Sequence, residues 1–173
     1  MGLGLAGQRL SEGAEGGELT GPNPTDRGKL GTKRHVVTDG RGVVLGVTLT
    51  GANVHDKWMV GETLDAVVVS APRGPRRPKH LCLDKGYDYD DAEAAVRARG
   101  IKPHLRRRGE KSRKCKRGRP RRWVVERANS WHNNFRALRI RWETKATHYM
   151  ALVHMACALI AYRAATRRNG HQF

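Results

Sequence analysis

Acidic residues are scarce in this chain. Its 173 residues hold 16 Asp and Glu against 34 Lys and Arg, a formal net charge of +18. An imbalance of that size favours polyanionic partners, with nucleic acid first. Cysteine is scarce too. Cys82, Cys115 and Cys157 lie far apart, which excludes a disulfide framework and a paired-cysteine zinc module and fits a reducing compartment. No apolar run reaches the roughly eighteen residues of a membrane span. Met1-Gly-Leu-Gly-Leu-Ala6 is too short and too uncharged for a secretory signal. The length leaves room for one domain with a core, or for a piece of a larger one.

What is present divides into segments of different character. Residues 1–20 are rich in glycine and read as an arm without regular structure, or as non-native sequence. Gly21-Pro-Asn-Pro-Thr-Asp26 is turn chemistry. Lys33–Asp39 and Val43–Thr50 are β-rich runs around Asp39-Gly-Arg-Gly42, a hairpin signal. Apolar spacing at Met59, Leu64, Val67 and Val68 predicts a helix from Trp58 to about Val69, and three prolines then mark Ser70–Lys79 as a loop. His80-Leu-Cys-Leu-Asp84 reads as a buried strand ending on a carboxylate. Asp90–Gly100 has acids in its first turn, arginines in its last and a closing glycine, the signals of a helix. Ile101–Leu105 is a second short strand, so a βαβ unit with parallel pairing is expected, its proline pushing that strand to an edge.

Residues 106–122 carry eleven Lys or Arg against one Glu, a net of +10. Arg106, Arg107, Arg108, Lys111, Arg113, Lys114, Lys116, Arg117, Arg119, Arg121 and Arg122, with Arg127 beyond them, are the candidate nucleic-acid contacts. Such a run can hold phosphate without reading any base. It could equally be a solvated loop, as many charge runs are. After it, Val124, Ala128, Trp131, Phe135 and Leu138 recur at steps of 4, 3, 4 and 3, the stripe of one long amphipathic helix. A last helix is expected from about His148 to Arg163, and residues 166–173 form a tail.

Two acids stand out by position. Asp84 ends a buried strand, where open α/β sheets place their ligands. Glu126 is the only acid between Glu110 and Glu143. Together they could serve a divalent cation, since Mg²⁺ takes few carboxylates and completes its shell with water and substrate phosphate. Each also has an ordinary explanation. Asp84 could cap the turn that follows it, and Glu126 could pair with Arg122 one helical turn earlier. His55 with Asp56, His35 and Cys82 are read as mainly structural, and no second histidine stands at metal-ligand spacing in the sequence. Trp131 lies on the core stripe, while Trp123 and Trp142 could pack or stack on bases.

From about Gly21 to Arg163 the chain resembles the bacterial insertion-sequence DDE transposases of the superfamily typified by insertion sequences four and five. The words that carry the likeness are Gly21-Pro-Asn-Pro-Thr-Asp-Arg-Gly-Lys29, Lys33-Arg-His35, Gly51-Ala-Asn-Val-His-Asp56, Asp84-Lys-Gly-Tyr-Asp88, Arg122-Trp-Val-Val-Glu-Arg127 and Phe135-Arg-Ala-Leu-Arg139. The resemblance implies an α/β fold, an RNase H-like mixed sheet with flanking helices, over residues 21–165. It also implies Mg²⁺ or Mn²⁺ dependence and the cutting and joining of double-stranded DNA at element ends. By position Asp84 looks like the second acid of the catalytic triad and Glu126 like the third, both as metal ligands. In the signature around the third acid, Arg122 and Glu126 fit, but Arg119 stands where the family has Tyr and Asn133 where it has Lys.

The family's first Asp lies on the first core strand, upstream of Gly-Pro-Asn-Pro. Residues 1–20 contain no Asp. The expectation is therefore a truncated domain whose sheet lacks its first strand, with weak metal binding and little catalysis by this chain alone. The alternative is a non-catalytic basic DNA-binding remnant. A homo-oligomer or a complementary transposase fragment would be a partner, at the bacterial nucleoid in the cytoplasm and away from membranes.

Overall fold

The computed structural model describes residues 2–6, 10–13, 16–67, 78–105 and 122–166. The fold is mixed α/β. Contacts divide the chain into two compact units. One contains Met1–Gly7, His35–Thr48 and His55–Arg127; the other contains Gln8–Arg34, Leu49–Val54 and Ala128–Phe173.

In the first unit, strand β1 (Gly2–Ala6) lies between two others. It runs parallel to β6 (His80–Leu83), with Leu5 opposite Leu83, and antiparallel to β4 (Leu30–Thr38), with Ala6 opposite Val36. β6 pairs in parallel with β7 (Lys102–His104), and β5 (Val44–Gly51) also pairs with β4. The hairpin between β4 and β5 is the expected one. Asp39 Oδ1 accepts from the backbone N–H groups of Arg41 at 2.8 Å and Val43 at 3.0 Å, which closes the turn.

The strand at Gly2–Ala6 corrects the expectation of an unstructured arm at 1–20 and of a sheet without its first strand. A gap between two strands leaves two rows of backbone donors and acceptors to satisfy, and a proline-free segment of alternating Gly and Leu can fill it whatever its side chains. The low β-propensity of glycine hid the period of two.

A short 3₁₀ turn (Asp56–Met59) leads into helix α1 (Val60–Asp65), shorter than the sequence spacing suggests. Helix α2 (Asp90–Arg97) bridges β6 and β7, which confirms the βαβ unit. Its first turn holds Asp90, Asp91 and Glu93 and its last Arg97, the polarity that suits a helix dipole. Gly100 follows at φ +72°, a left-handed conformation that glycine adopts without cost. Leu81, Leu83, Val60, Leu64, Val96 and Ile101 form the core of this unit. Each such side chain stabilises the fold by roughly 1.5–3 kcal/mol when fully buried.

In the second unit, β2 (Leu10–Gly13) pairs antiparallel with the first half of β4, Leu10 opposite Lys33. It pairs in parallel with β8 (Ile140–Arg141), and β3 (Gly21–Pro22) adds to β4. The expected single long helix is two: α3 (Arg122–Asn133) and a short α4 (Arg136–Arg139), with Phe135 extended between them. Asn133 and Asn134 sit at the break, where asparagine competes poorly for helical hydrogen bonding. The apolar stripe survives the break, since Val124, Ala128 and Leu138 are all buried.

Helix α5 (Ala146–Thr166) buries Tyr149, Val153, Ala156 and Ile160. Glu18 accepts from Ala146 N at 3.0 Å and so caps its start. By length and composition alone α5 is long and apolar enough to cross a membrane, although His148, His154 and Arg163 interrupt it and no continuous apolar run of that length is present. A buried stripe at steps of 4, 3 and 4 is also what a helix packed on a core shows.

Candidate active site

The first unit places Asp84 at the carboxyl end of β6. The chain leaves the strand through a 3₁₀ turn, Lys85–Tyr87, in which Tyr87 N donates to Asp84 O at 3.0 Å. The turn drives the Tyr87 ring into the core, where it is 1 % exposed. Its hydroxyl has no hydrogen-bond partner among the described residues. Burial raises the Tyr87 pKa well above that of an ordinary phenol, and the charges of Asp56 and then Asp84 raise it further. Asp56 is itself buried, and a Cβ built on Gly86 would stand 3.6 Å from its Oδ2. Two carboxylates thus bear on one neutral tyrosine. Asp84 ends its strand as the sequence implied. Asp56, read from the sequence as structural, belongs to the same neighbourhood. The signal was its place in Gly51-Ala-Asn-Val-His-Asp56, but nothing local tied that word to Asp84.

Both ring nitrogens of His55 are engaged by groups other than Asp56. His55 Nδ1 accepts from Lys57 N at 3.3 Å and caps the 3₁₀ turn. Its Nε2 shares a hydrogen bond with Tyr89 Oη at 3.0 Å, the rings edge-on with centroids 4.8 Å apart. Lys57 Nζ lies 4.4 Å from the Trp58 ring centre, 4.9 Å from that of Tyr89 and 3.4 Å from Asp91 Oδ2. Trp58 is largely exposed. An exposed ring beside an ammonium group is suited to an anionic, planar ligand.

Glu126 lies in α3 with an exposed side chain, and Arg127 beside it is half-buried. Arg106, Arg107, Arg108, Lys111, Arg113, Lys114, Lys116, Arg117, Arg119 and Arg121 lie outside the described residues, and the Arg122 and Trp123 side chains outside the described side chains. Trp142 is exposed, Trp131 half-buried, His35 buried in β4 and Cys82 a half-buried free thiol. Among the described residues, no three His, Cys, Asp or Glu side chains come together in a way that could hold a metal ion. Asp84 and Glu126 are thus not joined by a third ligand.

The second unit uses its motif residues as scaffold. A Cβ on Gly21 would stand 1.9 Å from Asn53 Oδ1, so Gly-Pro-Asn-Pro and Gly-Ala-Asn meet where only a bare backbone fits. Asn23 Oδ1 accepts from Thr25 N at 3.0 Å and from Thr25 Oγ1 at 2.8 Å. Arg34, 1 % exposed, donates to Leu138 O, to Tyr149 Oη at 2.7 Å and to Asn133 Oδ1 at 3.4 Å. Asn133, which stands where the family signature has Lys, thus helps to hold a buried arginine. His132 lies 3.3 Å from Cys157 Sγ through Nε2. Burial, and then the positive charge of Arg34, lower its pKa to about 4. Burial pushes the Cys157 thiol up to about 11, so it is protonated and inert at neutral pH.

Residues 10–161 match the family model of the transposase DDE domain. A Burkholderia cepacia protein provisionally assigned as the transposase of insertion sequence element IS402 is 40 % identical over 154 residues, which cover 87 % of this chain and 72 % of that protein. Among solved structures, the cryo-EM structure of a piggyBac transposase synaptic complex with hairpin DNA matches at a TM-score of 0.39 and 17 % identity. That match covers 69 % of this chain and only 26 % of the solved one.

Proposed function

This chain belongs to the family of transposase DDE domains, and from that premise we propose that it acts on double-stranded DNA as the catalytic domain of an insertion-sequence transposase, with Asp84 and Glu126 as two of its metal ligands. The domain spans residues 21–165 together with the strand at its start. The order β7, β6, β1, β4, with β1 parallel to β6, antiparallel to β4 and β5 paired to β4, supports an RNase H-like sheet. The observation that carries the reading is the place of Asp84, at the carboxyl end of a strand flanked by parallel neighbours on both sides, where α/β sheets put their ligands.

A cation at this centre, Mg²⁺ or Mn²⁺, would polarise the scissile phosphodiester and activate its attacking oxygen. The donors present do not complete such a centre. The β1–β6 register sets Leu5 opposite Leu83, so one step further Ala6 stands beside Asp84. We assign Ala6 to the place of the family's first acid. Lacking that carboxylate, the chain alone holds the cation weakly and cuts little or no DNA. The basic run at 106–122 and Arg127 bind phosphate, and a second copy or a complementary fragment is the partner through which cutting would be restored. The protein works at the nucleoid in the bacterial cytoplasm.

The test is cation-dependent nicking of supercoiled plasmid. Wild-type chain is expected to nick barely above background. Robust nicking that survives Glu126→Ala would overturn the assignment of Glu126. The missing acid also favours the second reading, a non-catalytic DNA-binding remnant. If about six basic side chains contact phosphates, log affinity falls with log salt at a slope of about −5. A flat salt response would remove both readings.

A further inference from the structure

The outer strands of the first unit bring together two histidines that lie 24 residues apart in the chain. His80 opens β6 and His104 closes β7. The parallel register sets His80 opposite Lys102 and Cys82 opposite His104. Successive residues of a strand alternate between faces, and here the alternation is clear. Leu81, Leu83 and Pro103 are buried, while His80 and Cys82 are half-buried and His104 is exposed. His80, Cys82 and His104 therefore rise on the face away from the core. There His80 Nδ1 and His104 Nε2 lie 2.7 Å apart, with ring centres 4.9 Å apart and planes inclined at 39°.

We propose that His80 and His104 form a chelating site for a borderline divalent transition metal, Zn²⁺ in the first instance, separate from the acids Asp84 and Glu126. The two nitrogens share an N–H···N hydrogen bond, so binding breaks that bond: the donor ring moves its proton to its other nitrogen, and both freed lone pairs turn onto the ion. Around a tetrahedral Zn²⁺, with Zn–N of about 2.0–2.1 Å, two nitrogens stand about 3.3 Å apart. The rings must open by only about half an ångström, which side-chain rotation on an open face supplies. Neutral imidazole suits Zn²⁺ and is a poor ligand for Mg²⁺, which prefers oxygen. This site and the acid centre would therefore select different ions. No third His, Cys, Asp or Glu completes a cluster among the described residues, so water fills the remaining positions and the affinity is modest. The ion would pin β7, a three-residue strand, to β6, which leads directly into Asp84.

The experiment is isothermal titration of ZnCl₂ into the metal-free full chain. Wild type, His80→Gln, His104→Gln, Asp84→Asn and His154→Gln are compared. The expected result is one equivalent of Zn²⁺ of modest affinity in wild type. It should weaken at least about tenfold in each of the first two variants and stay unchanged in the last two. Absence of binding in wild type, or binding as tight as wild type in either His80→Gln or His104→Gln, would overturn the proposal. So would loss of binding in Asp84→Asn, which would put the ion at the acids. NMR of the wild-type histidine rings gives an answer that needs no variant to fold. Added Zn²⁺ should move the resonances of His80 and His104 first among the eight histidines; movement of any other ring first would contradict the site. The outcome is independent of whether the chain cuts DNA.

Discussion

The two units treat their motif residues in opposite ways. In the second, Gly21, Asn23, Arg34 and Asn53 are absorbed by the fold. Arg34 donates to three acceptors, with only its Nε lacking a partner among the described residues, and Asn23 closes its own turn. In the first, the words around Asp56 and Asp84 leave a buried tyrosine hydroxyl with no hydrogen-bond partner among the described residues, next to two carboxylates. A buried group held by several partners, as Arg34 is, builds structure, whereas a lone hydroxyl left unsatisfied beside two carboxylates stores electrostatic free energy. The motif words therefore do not carry one kind of information.

This contrast can be broken by substitution. Arg34→Met should cost about 3 kcal/mol in chemical denaturation, because a buried, multiply bonded guanidinium is lost. Asp84→Asn should cost under about 0.5 kcal/mol while removing any cation-dependent nicking. Equal losses of stability would erase the distinction between scaffold and site.

The pH dependence of the second unit is the next largest effect. His132 is fully buried and its folded pKa is about 4, below the ordinary 6.5. The unfolded chain therefore takes up the proton first. The stability from the neutral ring is complete above pH 6.5 and is lost as pH falls from 6.5 to 4. The loss amounts to about 3 kcal/mol. His132→Gln should flatten that part of a stability–pH profile.

Tyr87→Phe probes the first unit from the other side. Removing an unsatisfied buried hydroxyl should be neutral or stabilise by up to about 1 kcal/mol in a thermal melt. A loss above 1 kcal/mol would mean that the hydroxyl is bonded after all. The smallest effect belongs to Asp65, whose pKa the Arg99 hydrogen bond lowers. The stability from that pair is present above the unfolded carboxyl value near 4 and fades as pH falls through the lower folded one. Because the pair is largely exposed, Asp65→Asn should cost under about 0.5 kcal/mol at neutral pH.

Local chemistry made part of this legible in the sequence. The Asp39–Gly42 turn, the α2 termini and the βαβ unit follow from signals a few residues apart. Asp84 is identifiable as a strand-end acid for the same reason. Lys33-Arg-His35 gives no sign of burial, since a charged run ordinarily faces water. Yet residues 31–38 are buried throughout, and β4 pairs with four strands, β1, β2, β3 and β5. β1 was hidden by its glycines, and the break between α3 and α4 by an apolar stripe that continues across it. Neither Asp56 beside the Asp84 turn nor His80 beside His104 has a local signal, since strand register sets the second pair and tertiary packing the first. Glu126 stands out in the sequence as the only acid between Glu110 and Glu143, but its role as third acid rests on the family resemblance.

On the proposed reading this domain is one carboxylate short, with the vacancy at Ala6, one step past Leu5 in the register with β6. The direct measurement is Mn²⁺-dependent nicking of supercoiled plasmid by wild type, Ala6→Asp, and Ala6→Asp combined with Asp84→Ala. Ala6→Asp alone should nick, at least about 100-fold above the other two, as expected when a metal ligand is gained or lost. Equal nicking by wild type and Ala6→Asp would contradict it, as would nicking by Ala6→Asp that survives Asp84→Ala.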